Sequence, residues 1–407
     1  MYYPRAAKDA WLEASEQFPV LLLTGPRQVG KTTFLQRIKK ESRGYVTLDD
    51  PALRTLAAED PALFLQRFPP PVLIDEIQYA PQLLPFIKMD VDRERTAGRF
   101  WLTGSQQFRM MRGVSETLAG RIAILNLLGF SQRERHRKSL SVAPFLPTRE
   151  VLNERERHAL PTRLKNVYHD IWLGCFPALD VGTVKNRELF YSSYVQTYLE
   201  RDVRDLAQVG NEAAFLRFLK ATAARTGQRL NLSDLARDAD VSVNTAKSWI
   251  GILQTNLQVY LLPSYHSNVT KRPVKAPKLY FLDTGLCAYL TEWSSPETLE
   301  AGAMSGAIFE TYIFSEILKS WWQRGRFPEF FCYRDVDGRE VDLLFSRNRT
   351  LHPVEIKKSG TVSRDWANAF SPLGRLKAPV GDGGIVCLCD QTVPLTEKIR
   401  AIPVGLI

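Results

Sequence analysis

The sequence predicts an α/β protein with a parallel-sheet unit first, a helix-rich unit closing in a hairpin next, and a second α/β unit last. Three observations predict it. Short apolar runs alternate with helical stretches through the first third, at 20–25, 45–49, 71–76, 100–105 and 122–127, which is the rhythm of a largely parallel sheet. Between 212 and 290 the pattern changes to helix, short helix, helix and then two strands around a basic, proline-containing turn. The C-terminal part gives one apolar helix, GAIFETYIFSEILKSWWQ, followed by the strands EFFCYRD, EVDLLFS, LHPVEIKKS and GGIVCLCD.

Length and composition bound the classes. A chain of 407 residues allows roughly two to four domains. With 44% hydrophobic and 24% charged residues it can build real cores and is not a disordered chain. No apolar run is long enough for a membrane span, and the N-terminus lacks the apolar region of a secretory signal. The 5 cysteines are few and odd in number, which suits a reducing cytoplasm and not a disulfide framework. Cys387 and Cys389 lie in an apolar strand and read as buried residues. A net charge of +10 and a pI near 9.3 favour polyanionic partners such as nucleic acid, nucleotides or an anionic surface.

In order, the elements divide into a core at 1–135, a basic linker and helical connector at 136–210, a helix-and-hairpin module at 211–295 and a final domain at 296–407. The segment RERHRKS at 133–139 is the densest basic stretch, and the region around it reads as a linker with mobile parts. Residues 165–225 carry a helical apolar period. In the module that follows, Asn231 or Ser233 is placed to cap a short helix, and Ser242 to cap the next.

The strongest motif is Gly25-Pro26-Arg27-Gln28-Val29-Gly30-Lys31-Thr32, with Thr33 after it. It fills G-x-x-x-x-G-K-[ST] and sits where the chemistry needs it, after an apolar strand and before a helix. Its glycines permit a loop whose N–H groups face phosphate oxygens, and the helix N-terminus adds its dipole. Lys31 would reach the β- and γ-phosphates of ATP, and the Thr32 hydroxyl would ligate Mg2+. The second motif is Val72-Leu-Ile-Asp75-Glu76, an apolar strand ending in two carboxylates. Asp75 would hold Mg2+ through its water shell, and Glu76 would polarise the attacking water. The alternative is that Asp75 caps a helix EIQYAPQLLPFIK, and both roles can coexist. The third is Phe100-Trp-Leu-Thr103-Gly-Ser105, where Thr103 or Ser105 could sense the γ-phosphate or simply close a polar turn.

The P-loop GPRQVGKTT, the segment LIDEIQ, TGS after the next strand and LAGR before IAILNLLGFS resemble the AAA+-type P-loop NTPases of bacteria and archaea. GCFPALD at 174–180 and YLERDVRDL at 198–206 resemble the segments that join such an ATPase to domain-of-unknown-function family 4143. The resemblance implies an ATPase that works as a homo-oligomer, hexamer or dimer, with an arginine supplied by a neighbour. Arg121 matches that position, Arg112 is the second choice, and an intrachain pair or a DNA contact is the alternative. Arg201 and Arg204 are either sensor arginines or part of a solvated helix face.

The module at 211–295 has the element order of a winged helix-turn-helix. Asn244, Thr245, Lys247 and Ser248 would meet DNA near the start of its recognition helix. Lys271, Arg272, Lys275 and Lys278 would contact phosphates from the hairpin. Winged helices also bind proteins, and that reading stays open. In the last domain Glu310, Asp342, Glu355 and Lys357 resemble the PD-(D/E)xK nuclease core of restriction-endonuclease-like domains. That resemblance implies a possible second Mg2+, with cleavage, metal binding alone or recognition of branched DNA all open. The whole reads as a cytoplasmic ATPase that binds or remodels DNA, with migration of branched DNA as the specific expectation. A nucleotide-dependent regulatory switch and an ATP-regulated nuclease are the alternatives.

Overall fold

The structure, a computed structural model, describes residues 2–104, 117–160, 163–198, 212–266 and 276–407. Ser105, Arg112, Arg201, Arg204, Lys271, Arg272 and Lys275 therefore lie outside the described residues. The chain divides into one compact unit of residues 1–130, with short segments at 255–257 and 322–326, and a second made of the rest from Ser131.

The first unit is built on five strands: β1 (Val20–Thr24), β2 (Gly44–Thr47), β3 (Val72–Asp75), β4 (Phe100–Gly104) and β5 (Ile122–Asn126). They form one sheet in the order β2-β3-β4-β1-β5, with every pair parallel. A parallel sheet needs both faces covered, and β1, β3 and β4 are accordingly buried throughout. On one face Val20, Leu22, Val72, Ile74, Phe100 and Leu102 join a core with Leu83, Leu84, Ile87 and Val91 of the helix Leu83–Arg93. On the other, Trp101 meets the edge of Trp11 at 5.4 Å, and the Arg43 guanidinium lies over its ring. The carboxyl ends of β1, β3 and β4 bring the loop 25–30, Asp75–Glu76 and Thr103 to the same end of the sheet, where ligands bind in such folds. Asp75 does not open the helix expected after it. A short 3-10 turn at Ile77–Tyr79 follows instead, and Pro81 and Gln82 precede the helix at Leu83.

In the second unit the start of the basic stretch is folded and buried, while His136, Arg137 and Lys138 are exposed. Ser131 and Glu134 form a capping box around the helix Gln132–Arg135, and Gln132, Arg133 and Glu134 are buried. The Arg135 guanidinium lies between Asp170 at 2.7 Å and Asp180 at 2.8 Å. Arg155, 1% exposed, donates to the carbonyls of Ala143 and Leu406. A buried arginine is tolerable only when its donors find acceptors, and charge counting along the sequence cannot reveal those partners.

Further along come the helices Glu212–Ala223, Leu232–Ala239 and Val243–Thr255. Three short strands accompany them: β6 (Gln228–Arg229), β7 (Val259–Leu262) and β8 (Lys278–Phe281). The strands pair antiparallel in the order β6-β8-β7, so β8 is central. Asn231 is the N-cap of the second helix, and the Ser242 hydroxyl accepts from the Thr245 N–H at the start of the third. The third helix is anchored by Trp249, which sits edge-on against Phe215 and Phe218.

The last elements are the 18-residue helix Ser305–Trp322 and a six-stranded mixed sheet. The sheet holds β9 (Phe330–Arg334), β10 (Glu340–Arg347), β11 (Thr350–Lys357), β12 (Gly383–Cys387), β13 (Val393–Pro394) and β14 (Ile399–Pro403), in the order β13-β14-β12-β11-β10-β9. β10 runs antiparallel to β9 and β11, and β11, β12 and β14 are parallel. Among the described residues no helix is long and apolar enough to cross a membrane.

Candidate functional site

The phosphate loop leaves buried Thr24 and turns back at the N-terminus of the helix Lys31–Ile38. Gly25 is required by close approach, because a Cβ there would stand 2.0 Å from the Leu127 carbonyl oxygen. Gly30, at φ 86°, caps the helix in the left-handed region that glycine occupies without cost. Val29 and Pro26 are buried, Arg27 is half-buried, and Gln28 and Thr33 are exposed. The Lys31 ammonium donates to the carbonyls of Gly25 at 3.0 Å and Pro26 at 2.8 Å, which keeps it over the loop. Arg5 braces the loop by donating to the carbonyls of Val29 and Leu128. Nothing in the local sequence around Arg5 signals that role.

Asp75 is the hub of the site. The Thr32 hydroxyl donates to its carboxylate, at 2.9 Å from Oδ1 and 3.0 Å from Oδ2. Thr103 donates to Oδ1, and the Tyr45 hydroxyl reaches Oδ2 at 3.3 Å. Burial pushes the Asp75 carboxyl above its ordinary value, while the hydrogen bonds from Thr103 and Thr32 pull it back. Glu76 follows with φ 57°, its N–H donating to the Thr103 hydroxyl at 3.3 Å and its carboxylate accepting from Gln78. Thr103 is fully buried and links both acidic residues. Its hydroxyl is engaged by the Asp75 carboxylate and the Glu76 N–H. Tyr45 and Gln78 were not foreseeable, because their contacts are made between strands and across a turn.

The Thr32 hydroxyl and Asp75 carboxylate are hard oxygen donors within hydrogen-bond distance of each other, beside the loop. That donor set fits Mg2+, which takes few protein oxygens and completes its shell with water and substrate phosphate. Arg121 lies on the same unit. One edge of its guanidinium, Nε and Nη2, donates to the two Asp92 carboxylate oxygens, with Nη2 at 3.0 Å from Oδ2, and both side chains are part-exposed.

The second acidic group lies in the second unit. Glu310 comes from the helix Ser305–Trp322, Asp342 from β10, and Glu355 and Lys357 from β11. The structure brings all four together and adds a residue placed elsewhere by sequence reasoning. Lys278 is not at an exposed hairpin tip. It lies on central β8, 5% exposed, with Nζ 2.5 Å from Glu310 Oε1 and 2.9 Å from Asp342 Oδ1. Tyr280, two residues on, donates to Glu310 at 2.5 Å. A lysine opening the apolar run KLYF was the available signal. Lys357 donates to Glu355 at 2.7 Å. Burial and the nearby Asp342 push Glu310 up to about 8 and Glu355 up to about 7. Among the described residues no group of three or more histidine, cysteine, aspartate or glutamate side chains could hold a metal ion.

On the helix Val243–Thr255, Asn244, Lys247 and Ser248 are exposed and Thr245 is half-buried, while Ala246, Trp249, Ile250 and Leu253 face the core. The exposed residues are one turn apart and share one face.

These features define an AAA-type P-loop NTPase in the first unit. Residues 17–136 match the AAA domain family, residues 165–297 a domain of unknown function (DUF8612), and residues 305–407 a second domain of unknown function (DUF4143). The chain is 28% identical over 396 residues to uncharacterized proteins of Mycobacterium bovis and Mycobacterium tuberculosis, covering 96% of this chain and 81% of each relative. Among solved structures it is similar to a Walker-type ATPase of Pyrococcus abyssi at 16% identity and a TM-score of 0.42, over 70% of this chain and 94% of that one. The RuvB Holliday junction branch migration motor of Thermotoga maritima is similar at 17% identity and a TM-score of 0.29, over 63% of this chain and 86% of that one.

Proposed function

We propose that the chain is a Mg2+-dependent ATPase, working as a homo-oligomer, that couples ATP binding and hydrolysis to DNA binding or remodelling. The observation that carries the reading is the Thr32–Asp75–Thr103–Glu76 constellation beside the loop 25–30. In this reading residues Gly25 to Thr33 wrap the triphosphate, and Lys31 places its charge against the β- and γ-phosphates. Bound Mg2+ neutralises charge developing on the phosphate oxygens. Glu76, held by its own N–H to Thr103, takes the proton of the attacking water. Arg121 leaves Asp92 to reach a neighbour's γ-phosphate, which a side chain in a part-exposed ion pair can do at small cost.

DNA enters the reading through the second unit. Two helices, a three-stranded antiparallel sheet and the exposed face of Asn244, Lys247 and Ser248 are the parts a winged helix uses in a major groove. The net charge of +10 supports a polyanionic partner. The test is duplex binding by fluorescence anisotropy across a salt series, for wild type and Lys247→Ala. Loss of one phosphate contact lowers the salt slope by about 1. An unchanged slope and affinity removes this face from the account. In parallel, ATP hydrolysis is followed with duplex, single-stranded and four-way-junction DNA. Stimulation of about tenfold, or roughly 1.4 kcal/mol of barrier, by one form names the substrate. Hydrolysis indifferent to every form favours a regulatory switch whose second unit binds a protein.

A further inference from the structure

A nuclease-like fold implies a divalent ion held by Glu310, Asp342 and Glu355, and the structure lets that fit be tested. We propose that this acidic site takes no divalent ion: the Lys278 ammonium is its resident cation, and the group ties the hairpin strand to the C-terminal sheet without cutting DNA.

The geometry argues it. The Lys278 Nζ lies 2.5 Å from Glu310 Oε1 and 2.9 Å from Asp342 Oδ1, which places one ammonium between two carboxyl groups. Mg2+ needs oxygen ligands at about 2.0–2.1 Å in octahedral array, so it cannot share that space with an ammonium. Three of the four other oxygens of the group are engaged too. Asp342 Oδ2 accepts the Ile356 N–H at 3.0 Å. Glu355 Oε1 accepts from Lys357 at 2.7 Å, and Oε2 from the Asp342 N–H at 3.4 Å. A metal would have to displace donors that this chain supplies itself.

Lys278 is also held from behind. Its backbone lies on the central strand, opposite Arg229 of β6 on one side and Leu262 of β7 on the other. The side chain is buried, so withdrawing it leaves the Glu310 and Asp342 carboxyl groups without their cation. This nitrogen and the Tyr280–Glu310 hydrogen bond link β8 to the helix Ser305–Trp322 and to β10. The tie is independent of the ATPase reading above.

Removing the ammonium while keeping its methylene stem leaves hard oxygen ligands with no cation, which a divalent ion can then fill. The test is Mn2+ titration calorimetry on the nucleotide-free full chain, with thermal midpoints measured with and without millimolar Mn2+. Wild type and Asp342→Asn are expected to titrate alike. Lys278→Met is expected to bind one further Mn2+ that wild type does not bind, with a midpoint that Mn2+ raises. Adding Asp342→Asn to Lys278→Met is expected to abolish both effects. A folded Lys278→Met that gains no Mn2+ overturns the proposal. If Lys278→Met does not fold, wild type against Asp342→Asn still decides. Mn2+ binding by wild type that Asp342→Asn removes, or Mn2+-dependent DNA cleavage that Glu355→Ala removes, shows that the ion displaces Lys278 and overturns the proposal.

Discussion

Replacing Thr103 with valine removes one hydroxyl and nearly nothing else, and it tests how the two acidic residues of the nucleotide site are held. That hydroxyl donates to Asp75 and accepts the Glu76 N–H at 3.3 Å, from a fully buried position on β4. A hydrogen bond to a charged group contributes about 1.5–3 kcal/mol. If the whole loss falls on the transition state, hydrolysis slows on the order of tenfold to a hundredfold. The pH profile should move as well. Thr103 is the largest influence lowering the Asp75 carboxyl against burial. Without it Asp75 takes up its proton at a higher pH, so the acid limb of hydrolysis shifts upward. Thr103→Ser keeps the hydroxyl and should keep most of the rate and the limb. The assay is steady-state ATP hydrolysis with Mg2+ from pH 5 to 9. A valine variant with the wild-type rate and an unmoved acid limb would refute this role for Thr103.

Three further outcomes are expected. Gly25→Ala puts a methyl group 2.0 Å from the Leu127 carbonyl oxygen, so the loop must shift. Overpacking of that kind costs about 1–3 kcal/mol, and nucleotide binding by calorimetry should be lost. Arg121→Ala should leave the thermal midpoint where it is, since the pair with Asp92 is part-exposed, yet lower hydrolysis on the order of a thousandfold if the guanidinium serves a neighbour. Asp92→Asn should spare hydrolysis. Burial and the nearby Asp342 push the Glu310 carboxyl up to about 8 from an ordinary value of 4.5. Between those values the folded state binds more protons than the unfolded one, so stability falls as pH rises, by at most about 1.4 kcal/mol per pH unit. Glu310→Gln should flatten that slope in denaturant titrations between pH 6 and 8.

What was legible in the sequence was what is local. The loop from Gly25 to Thr32 and the pair Asp75–Glu76 could be read because their chemistry depends on neighbours in the chain. The parallel core was legible because buried strands such as Val20–Thr24 are continuously apolar. The caps at Asn231 and Ser242 were legible for the same reason, one side chain reaching N–H groups two or three residues on. What depended on distant pairing was not legible. Thr103 reaches Asp75 across the sheet from 28 positions away, and Lys278 reaches Asp342 from 64. A basic residue looks the same in sequence whether it faces water or is buried on a carboxylate. That is why Lys278 was expected at a DNA surface, and why Arg135 and Arg155 were expected in a linker.

The most direct test of the account is hydrolysis of ATP with Mg2+ by wild type, Lys31→Ala and Glu76→Gln, with nucleotide binding measured on the same preparations. The account predicts that wild type hydrolyses ATP, that Lys31→Ala loses binding, and that Glu76→Gln binds MgATP but does not turn it over. Wild-type turnover by Glu76→Gln, or no MgATP binding by wild type, would contradict it.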